Sequence, residues 1–147
     1  MSIPVTRVPA NAASLPSSAE KTALPRPVRI LLVDSDMDEV HSLELMLHAS
    51  GYSETRVAYS GRAALAIAAE FQPDIALLDL SLLDLTGYEV AQSLREQAQS
   101  RGVRLIALTS SRAHAGREQA RVAGFERYLL KPVASLELSE LMARPND

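Results

Sequence analysis

Pro73-Asp74-Ile75-Ala76-Leu77-Leu78-Asp79-Leu80-Ser81-Leu82-Leu83-Asp84-Leu85-Thr86-Gly87 is the stretch that decides how this chain is read. An apolar run, Ile75–Leu78, ends on one carboxylate, Asp79, and a loop carrying a glycine follows. Such a run reads as a strand covered on both faces, with its acid just clearing the sheet edge. Open parallel sheets place ligands and chemistry at that edge.

Outward from this strand the pattern alternates. Val28–Val33 reads as a short apolar strand. Met37, Val40, Leu43 and Leu47 give Met37–His48 a helical period, closed by Gly51. Thr55–Tyr59 is a second strand, and Ser60 is a cap for the helix Arg62–Phe71. After Ile75–Leu78, Thr86 or Gly87 opens a helix running to about Gln97. Val103–Leu108 is the fourth strand, and Ser110 or Ser111 caps a more polar helix, Arg112–Ala123, ending near Gly124. Tyr128–Leu130 is a short fifth strand, and Ser135 caps a last helix, Leu136–Met142. Five strands alternating with five helices predict an α/β fold, a doubly wound five-stranded parallel sheet with right-handed crossovers.

Composition bounds the function. The 147 residues suffice for one domain with a core, and a hydrophobic content of 47% excludes a disordered chain. Aromatics make up only 4%, so aliphatic residues and alanine must build that core. Without cysteine, the chain has no disulfide, cysteine nucleophile or cysteine metal site. A net charge of −3 and the lack of a basic stripe give no support for nucleic-acid binding. No apolar run reaches membrane-span length and no signal-peptide h-region is present, so no membrane partner and a cytoplasmic location are expected. Residues 1–27 hold Pro4, Pro9, Pro16, Pro25 and Pro27 among Ser and Ala without periodicity, and are expected to be a disordered tail or linker. Residues 28–147 are expected to form the domain.

The carboxyl ends of parallel strands share one edge. Strand one ends at Asp34-Ser35-Asp36, strand three at Asp79, strand four at Thr109-Ser110, and strand five at Lys131-Pro132. A carboxylate can attack a phosphoryl group to form an acyl phosphate. Phosphoryl transfer asks mainly for positioning and charge neutralisation. Mg²⁺ prefers carboxylate and carbonyl oxygens, which Asp34 and Asp79 can supply. Lys131 can pair with one phosphoryl oxygen, and the Thr109 hydroxyl can donate to another. The chain has thirteen arginines and two lysines, and Lys21 lies in the tail. Position 131 thus carries the domain's one compact ammonium, which a guanidinium does not replace at a tight site. Asp36, Asp38 and Glu39 read as acids favouring a helix N-terminus, and His41, His48 and His114 as surface histidines.

Four motifs now stand in order: Ile30-Leu31-Leu32-Val33-Asp34; Asp79 with Gly87 eight residues on; Ala107-Leu108-Thr109-Ser110; and Tyr128-Leu129-Leu130-Lys131-Pro132. In these, Val28–Met142 resembles the receiver domain of bacterial two-component response regulators. The resemblance implies a flavodoxin-like (βα)5 architecture. It implies that Asp79 is the phosphoacceptor, loaded from a phosphohistidine on a sensor histidine kinase or histidine phosphotransfer protein. Asp34 matches a metal-site acid, with the Ser81 backbone carbonyl as a further Mg²⁺ ligand. Thr109 and Lys131 match the phosphoryl-sensing hydroxyl and phosphoryl-binding lysine, and Tyr128 the aromatic that changes rotamer on activation. Phosphorylation would then remodel the face built from the Arg112–Ala123 helix, the Tyr128–Leu130 strand and the last helix, toward a downstream protein target. The resemblance also implies a cis Lys131–Pro132 bond.

Two positions depart from the family pattern. Ser35 stands where the second adjacent acid is usual, so Mg²⁺ affinity should fall. Leu83 stands where proline is common, which alters loop stiffness. Ser35 supports an alternative, a degenerate receiver that binds partners without phosphate. A hydrolase reading, in which Asp34-Ser35-Asp36 begins a haloacid-dehalogenase-like site, lacks the further acids beyond Lys131 and a cap domain. The chain is thus expected not to be an enzyme beyond catalysing its own phosphorylation and dephosphorylation. It reads as a stand-alone receiver, a phosphorelay shuttle or a receiver from a hybrid kinase.

Overall fold

The structure, a computed structural model, describes residues 26–98, 102–110 and 124–143. Its elements are β1 (Ile30–Val33), α1 (Met37–Ala49), β2 (Thr55–Ala58), α2 (Gly61–Phe71), β3 (Ile75–Asp79), α3 (Gly87–Gln97), β4 (Arg104–Thr109), β5 (Arg127–Leu130) and α4 (Ser135–Ala143). The five strands form one parallel sheet in the order β2-β1-β3-β4-β5. The order reverses at β1, where the chain steps first to one neighbour and then to the other. Crevices outside the carboxyl ends at such a reversal bind ligands.

The period-two alternation of the strands divides the core. Leu31, Val33, Ala76, Leu78, Leu105 and Ala107 face α2 and α3, where Ala64, Ala68, Val90, Ala91 and Leu94 meet them. Ile30, Leu32, Ile75, Leu77, Ile106 and Leu108 face the other way, onto Val40, Leu43 and Leu47 of α1 and Leu138, Leu141 and Met142 of α4. All of β1 and β3 is buried, because helices cover both faces. The alanines of α2 keep that helix close to the sheet and compensate for the scarcity of aromatics.

Local chemistry fixes the boundaries. Asp36 caps α1, its carboxylate accepting the Asp38 and Glu39 N–H groups at 3.0 and 3.1 Å. Ser60 caps α2 through the Ala63 N–H at 3.1 Å. Thr86 and Glu89 exchange side-chain and backbone bonds in a capping box at α3. Gly51 follows α1 with a φ of 97°, where a left-handed residue ends the helix.

Several expected boundaries move. Pairing in β1 starts at Ile30 instead of Val28, because the Arg29 N–H donates to the Asp74 carboxylate at 2.8 Å. Arg26, in the expected 1–27 segment, also pairs with Asp74, at 2.7 Å. Ser135 is the first residue inside α4 and not its cap. The first helical bond there runs from the Leu138 N–H to the Ala134 carbonyl, so the cap position falls on Ala134. The expected Arg112–Ala123 helix, with His114, lies outside the described residues.

Candidate functional site

Three carboxyl ends meet above the sheet. Asp34 follows β1 directly, and Asp79 is itself the last residue of β3, register-paired with Leu108. Both are buried, at 1% and 4% exposure, although both are acids. Isolated buried carboxylates are costly, so each must be compensated. Asp34 Oδ1 accepts the Asp36 N–H at 2.9 Å, and Asp79 Oδ1 accepts the Ser81 N–H at 3.0 Å. Lys131 arrives from the end of β5 and supplies the countercharge. Its Nζ lies 2.9 Å from Asp34 Oδ2 and 3.4 Å from Asp79 Oδ1.

A third acid shares the ammonium. Glu39 Oε1, on the first turn of α1, lies 3.0 Å from Lys131 Nζ. The sequence reading assigned Glu39 to the helix N-terminus only. Its place five residues after Asp34, on the turn of α1 that rises from the strand ends, was the available signal. Burial opposes the charge on Lys131, but contacts with Asp34 and Glu39 and the charge of Asp79 outweigh it. The ammonium is held charged well above the usual lysine range.

Asp79 is shifted the other way from a simple ion pair. Burial raises its pKa most, the Ser81 N–H lowers it, and the Asp34 charge raises it further against Lys131. The net shift is upward from 3.8. The folded state therefore holds this proton more tightly than the unfolded chain. Stability from this group is greatest when Asp79 is protonated and falls as pH rises from about 3.8 through the raised value. Asp79→Asn is accordingly expected to raise the thermal midpoint near neutrality. The gain should shrink as pH approaches the ordinary aspartate range. Melting curves across that range check both signs.

The remaining expected residues are placed as follows. Thr109 ends β4, half-buried, and its carbonyl accepts the Lys131 N–H at 2.7 Å, so the two motifs are tied through backbone. Tyr128, paired in register with Ala107, packs its ring against the cluster under α2 and α3, with its hydroxyl shielded from solvent. Ser35 is exposed and adds no carboxylate. Asp36 cannot replace the missing acid, because its side chain is engaged as the α1 cap. The Lys131–Pro132 bond is cis. His41 and His48 are exposed, bonded to Tyr59 and Thr55 respectively.

The loop after Asp79 is pinned at both ends. Asp84 accepts the N–H groups of Gly61 and Arg62 at 2.8 and 2.9 Å, across the start of α2. Those two bonds, Arg62 foremost, lower its pKa to about 2. Gly87 closes the loop, with its backbone pressed against Asp79 and Leu80. Leu82 is buried, whereas Leu83 stands 91% exposed.

A divalent cation fits this donor set in part. Asp34 Oδ2 is buried and accepts no aligned hydrogen bond among the described residues; the ammonium charge beside it is its compensation. Among the described residues no three or more Asp, Glu or His side chains are spaced as a full metal cage. Mg²⁺ retains several waters and needs only one or two carboxylates, so Asp34 and Asp79 suit it without an all-protein cage.

Comparisons with known proteins place the chain in a family. The family model described as "Response regulator receiver domain" matches residues 30–143. The response regulator MprA of Mycolicibacterium vanbaalenii is 38% identical over 118 residues, covering 80% of this chain and 48% of that protein. The chain thus spans about half of MprA. The polar-differentiation response regulator DivK of Brucella ovis is 30% identical over 105 residues, covering 71% of this chain and 85% of that one. Among solved structures, the co-crystal of the Saccharomyces cerevisiae histidine phosphotransfer protein Ypd1 with the receiver domain of Ssk1 matches with a TM-score of 0.72 and 26% identity. That match covers 80% of this chain and 87% of the other. With its doubly wound flavodoxin-like sheet and its carboxylates at the carboxyl edge, the chain belongs to the response regulator receiver domain family of two-component signalling.

Proposed function

We propose that this chain accepts a phosphoryl group on Asp79 and uses it to switch a protein partner. The observation that carries this reading is the convergence of Asp34, Asp79 and Lys131 at the carboxyl edge of the sheet. An Asp79 carboxylate oxygen attacks phosphorus, the donor's leaving group departs with its electron pair, and an acyl phosphate remains. Lys131 neutralises a phosphoryl oxygen, and the Thr109 hydroxyl donates to another. Asp34, Asp79 and the Ser81 carbonyl would hold Mg²⁺, which supplies further charge neutralisation when bound. The donor is a sensor histidine kinase or a histidine phosphotransfer protein. The Ypd1–Ssk1 complex supports the latter, because a receiver domain of this fold meets a phosphotransfer protein there.

The output follows from Thr109 and Tyr128. Drawing the Thr109 hydroxyl toward a phosphorylated Asp79 opens space along β4, and Tyr128 on the neighbouring strand responds. The β5–α4 side then presents a different surface to a downstream protein. Coupling of this kind is worth on the order of 1–3 kcal/mol. Only a ligand or modification that contacts the two states differently can shift them.

A second reading rests on Ser35. A receiver with one metal-site acid fewer can serve as a partner-binding module without phosphate. Acetyl phosphate with and without Mg²⁺, read by intact mass, separates the two. The proposed function predicts an Mg²⁺-dependent adduct of one phosphoryl group, lost in Asp79→Asn. It also predicts that Ser35→Asp lowers the Mg²⁺ concentration needed. No adduct on the natural sequence, with an adduct restored by Ser35→Asp, establishes the degenerate reading instead.

A further inference from the structure

Lys131 has a choice of three carboxylates, and the longest of its three contacts is to the phosphoacceptor. Nζ lies 2.9 Å from Asp34, 3.0 Å from Glu39 and 3.4 Å from Asp79. Asp34 and Asp79 are buried, whereas the Glu39 side chain is 44% exposed. Glu39 is therefore the one partner that can swing away without leaving a buried charge. Glu39 and Lys131 line the same cleft, of about 190 Å³, between α1 and the Lys131–Val133 loop. Nζ already lies 3.4 Å from Asp79, so a small movement carries it from one acid to the other.

We infer that Glu39 is a positioning residue: it holds Lys131 off Asp79 in the unphosphorylated protein and yields it when a phosphoryl group arrives. The inference rests on the proposed function for its consequence, but not for the placement itself. Before transfer, Lys131 must offset the repulsion between Asp34 and Asp79 without capping the nucleophile. A third carboxylate shares the ammonium and helps to keep it charged. During transfer, charge spreads over the phosphoryl oxygens. That stronger anion draws Lys131 across, and the Glu39 carboxylate is released to water. Its release adds an unpaired negative charge to the exposed face of α1 on phosphorylation.

The test uses Glu39→Gln, which removes the charge, and Glu39→Asp, which keeps the charge but shortens the reach by one methylene. Only two lysines are present, so the Lys131 side-chain ammonium signal is identified by Lys21→Arg. Both Glu39 variants are expected to shift the Lys131 ¹⁵Nζ and Asp79 ¹³Cγ resonances in the absence of phosphate and metal. Both are also expected to speed adduct formation from acetyl phosphate at saturating Mg²⁺, by on the order of two- to five-fold. The melting midpoint should stay nearly unchanged.

Unmoved resonances in Glu39→Gln overturn the inference. So does a Glu39→Asp protein that behaves as the natural one, because charge alone and not reach would then matter. Moved resonances with an unchanged rate overturn the positioning role. If no protein forms an adduct, the proposed function fails, and the resonances alone decide where Glu39 holds the lysine.

Discussion

Lys131→Met is expected to destabilise the protein by about 3–5 kcal/mol at neutral pH. Methionine keeps most of the side-chain volume, so the loss measures charge and not a cavity. Lys131 stands within 3.4 Å of three carboxylates, two of them almost fully buried. Without the ammonium, Asp34 Oδ2 loses its compensation and faces Asp79 directly. Two carboxylates about 4 Å apart repel by about 4 kcal/mol at an effective dielectric near 20. For a domain of this size the midpoint should fall by more than about 10 °C. The native state can escape part of that cost by binding a proton on one acid. The deficit should therefore shrink as pH falls, the opposite of a packing defect. Adding Asp79→Asn to Lys131→Met removes one of the two facing charges and should restore most of the stability. Denaturant melts of the four proteins, run as a cycle, check this. A pH-independent loss, or a double variant no better than the single one, would falsify the charge account.

Much of this arrangement was legible in the sequence because backbone rules place it. Parallel strands must end on one edge, so Asp34, Asp79, Thr109 and Lys131 were bound to share a rim once the β-α alternation was recognised. The cap at Ser60 was equally legible, since a hydroxyl before an apolar-periodic run favours the N-cap, and the start of α3 was narrowed to Thr86 or Gly87, of which Thr86 is the cap. What stayed hidden depends on side chains meeting across elements. Glu39 read as a helix-terminus acid, because its partner lies 92 positions away on another strand end. Asp74 drew no reading of its own, yet its carboxylate takes the Arg29 N–H and thereby sets where β1 begins. Ser135 resembled a cap on the same grounds that succeeded at Ser60. There the chain leaving Lys131–Pro132 enters the helix one residue sooner. Asp84 gave no signal at all, because its two bonds are to backbone of another helix.

Gly87 carries the other large effect, and here the demand is for space. Its φ is not in the left-handed region, so an L-residue would be conformationally acceptable. A Cβ at that position would lie 2.7 Å from the Asp79 carbonyl oxygen and 2.8 Å from Leu80 Cα. Both are backbone atoms, and neither can rotate away. Leu80 is further held by its N–H bond to the Leu108 carbonyl at 3.0 Å. The added atom must therefore push either the start of α3 or the end of β3. Overpacking of this kind costs about 1–3 kcal/mol, more than the improved helix propensity of alanine can return. Gly87→Ala is expected to lose stability by that amount, and Gly87→Val by more. The functional loss should be larger than the loss of stability suggests. A displacement of about 1 Å at a reacting group can cost about 100-fold in rate. Adduct formation from acetyl phosphate in Gly87→Ala should fall on that order, with the protein still folded. Gly51→Ala is the control. Gly51 has a φ of 97° and nothing within 4 Å of a Cβ, so alanine there meets strain and no clash. It should lose about 1 kcal/mol or more and leave the rate of phosphoryl acceptance intact. Equal effects of the two substitutions on that rate would mean that Gly87 serves the helix start alone. A selective loss at Gly87 would mean that the eight-residue spacing from Asp79 exists to let two backbone segments touch beside the reacting carboxylate.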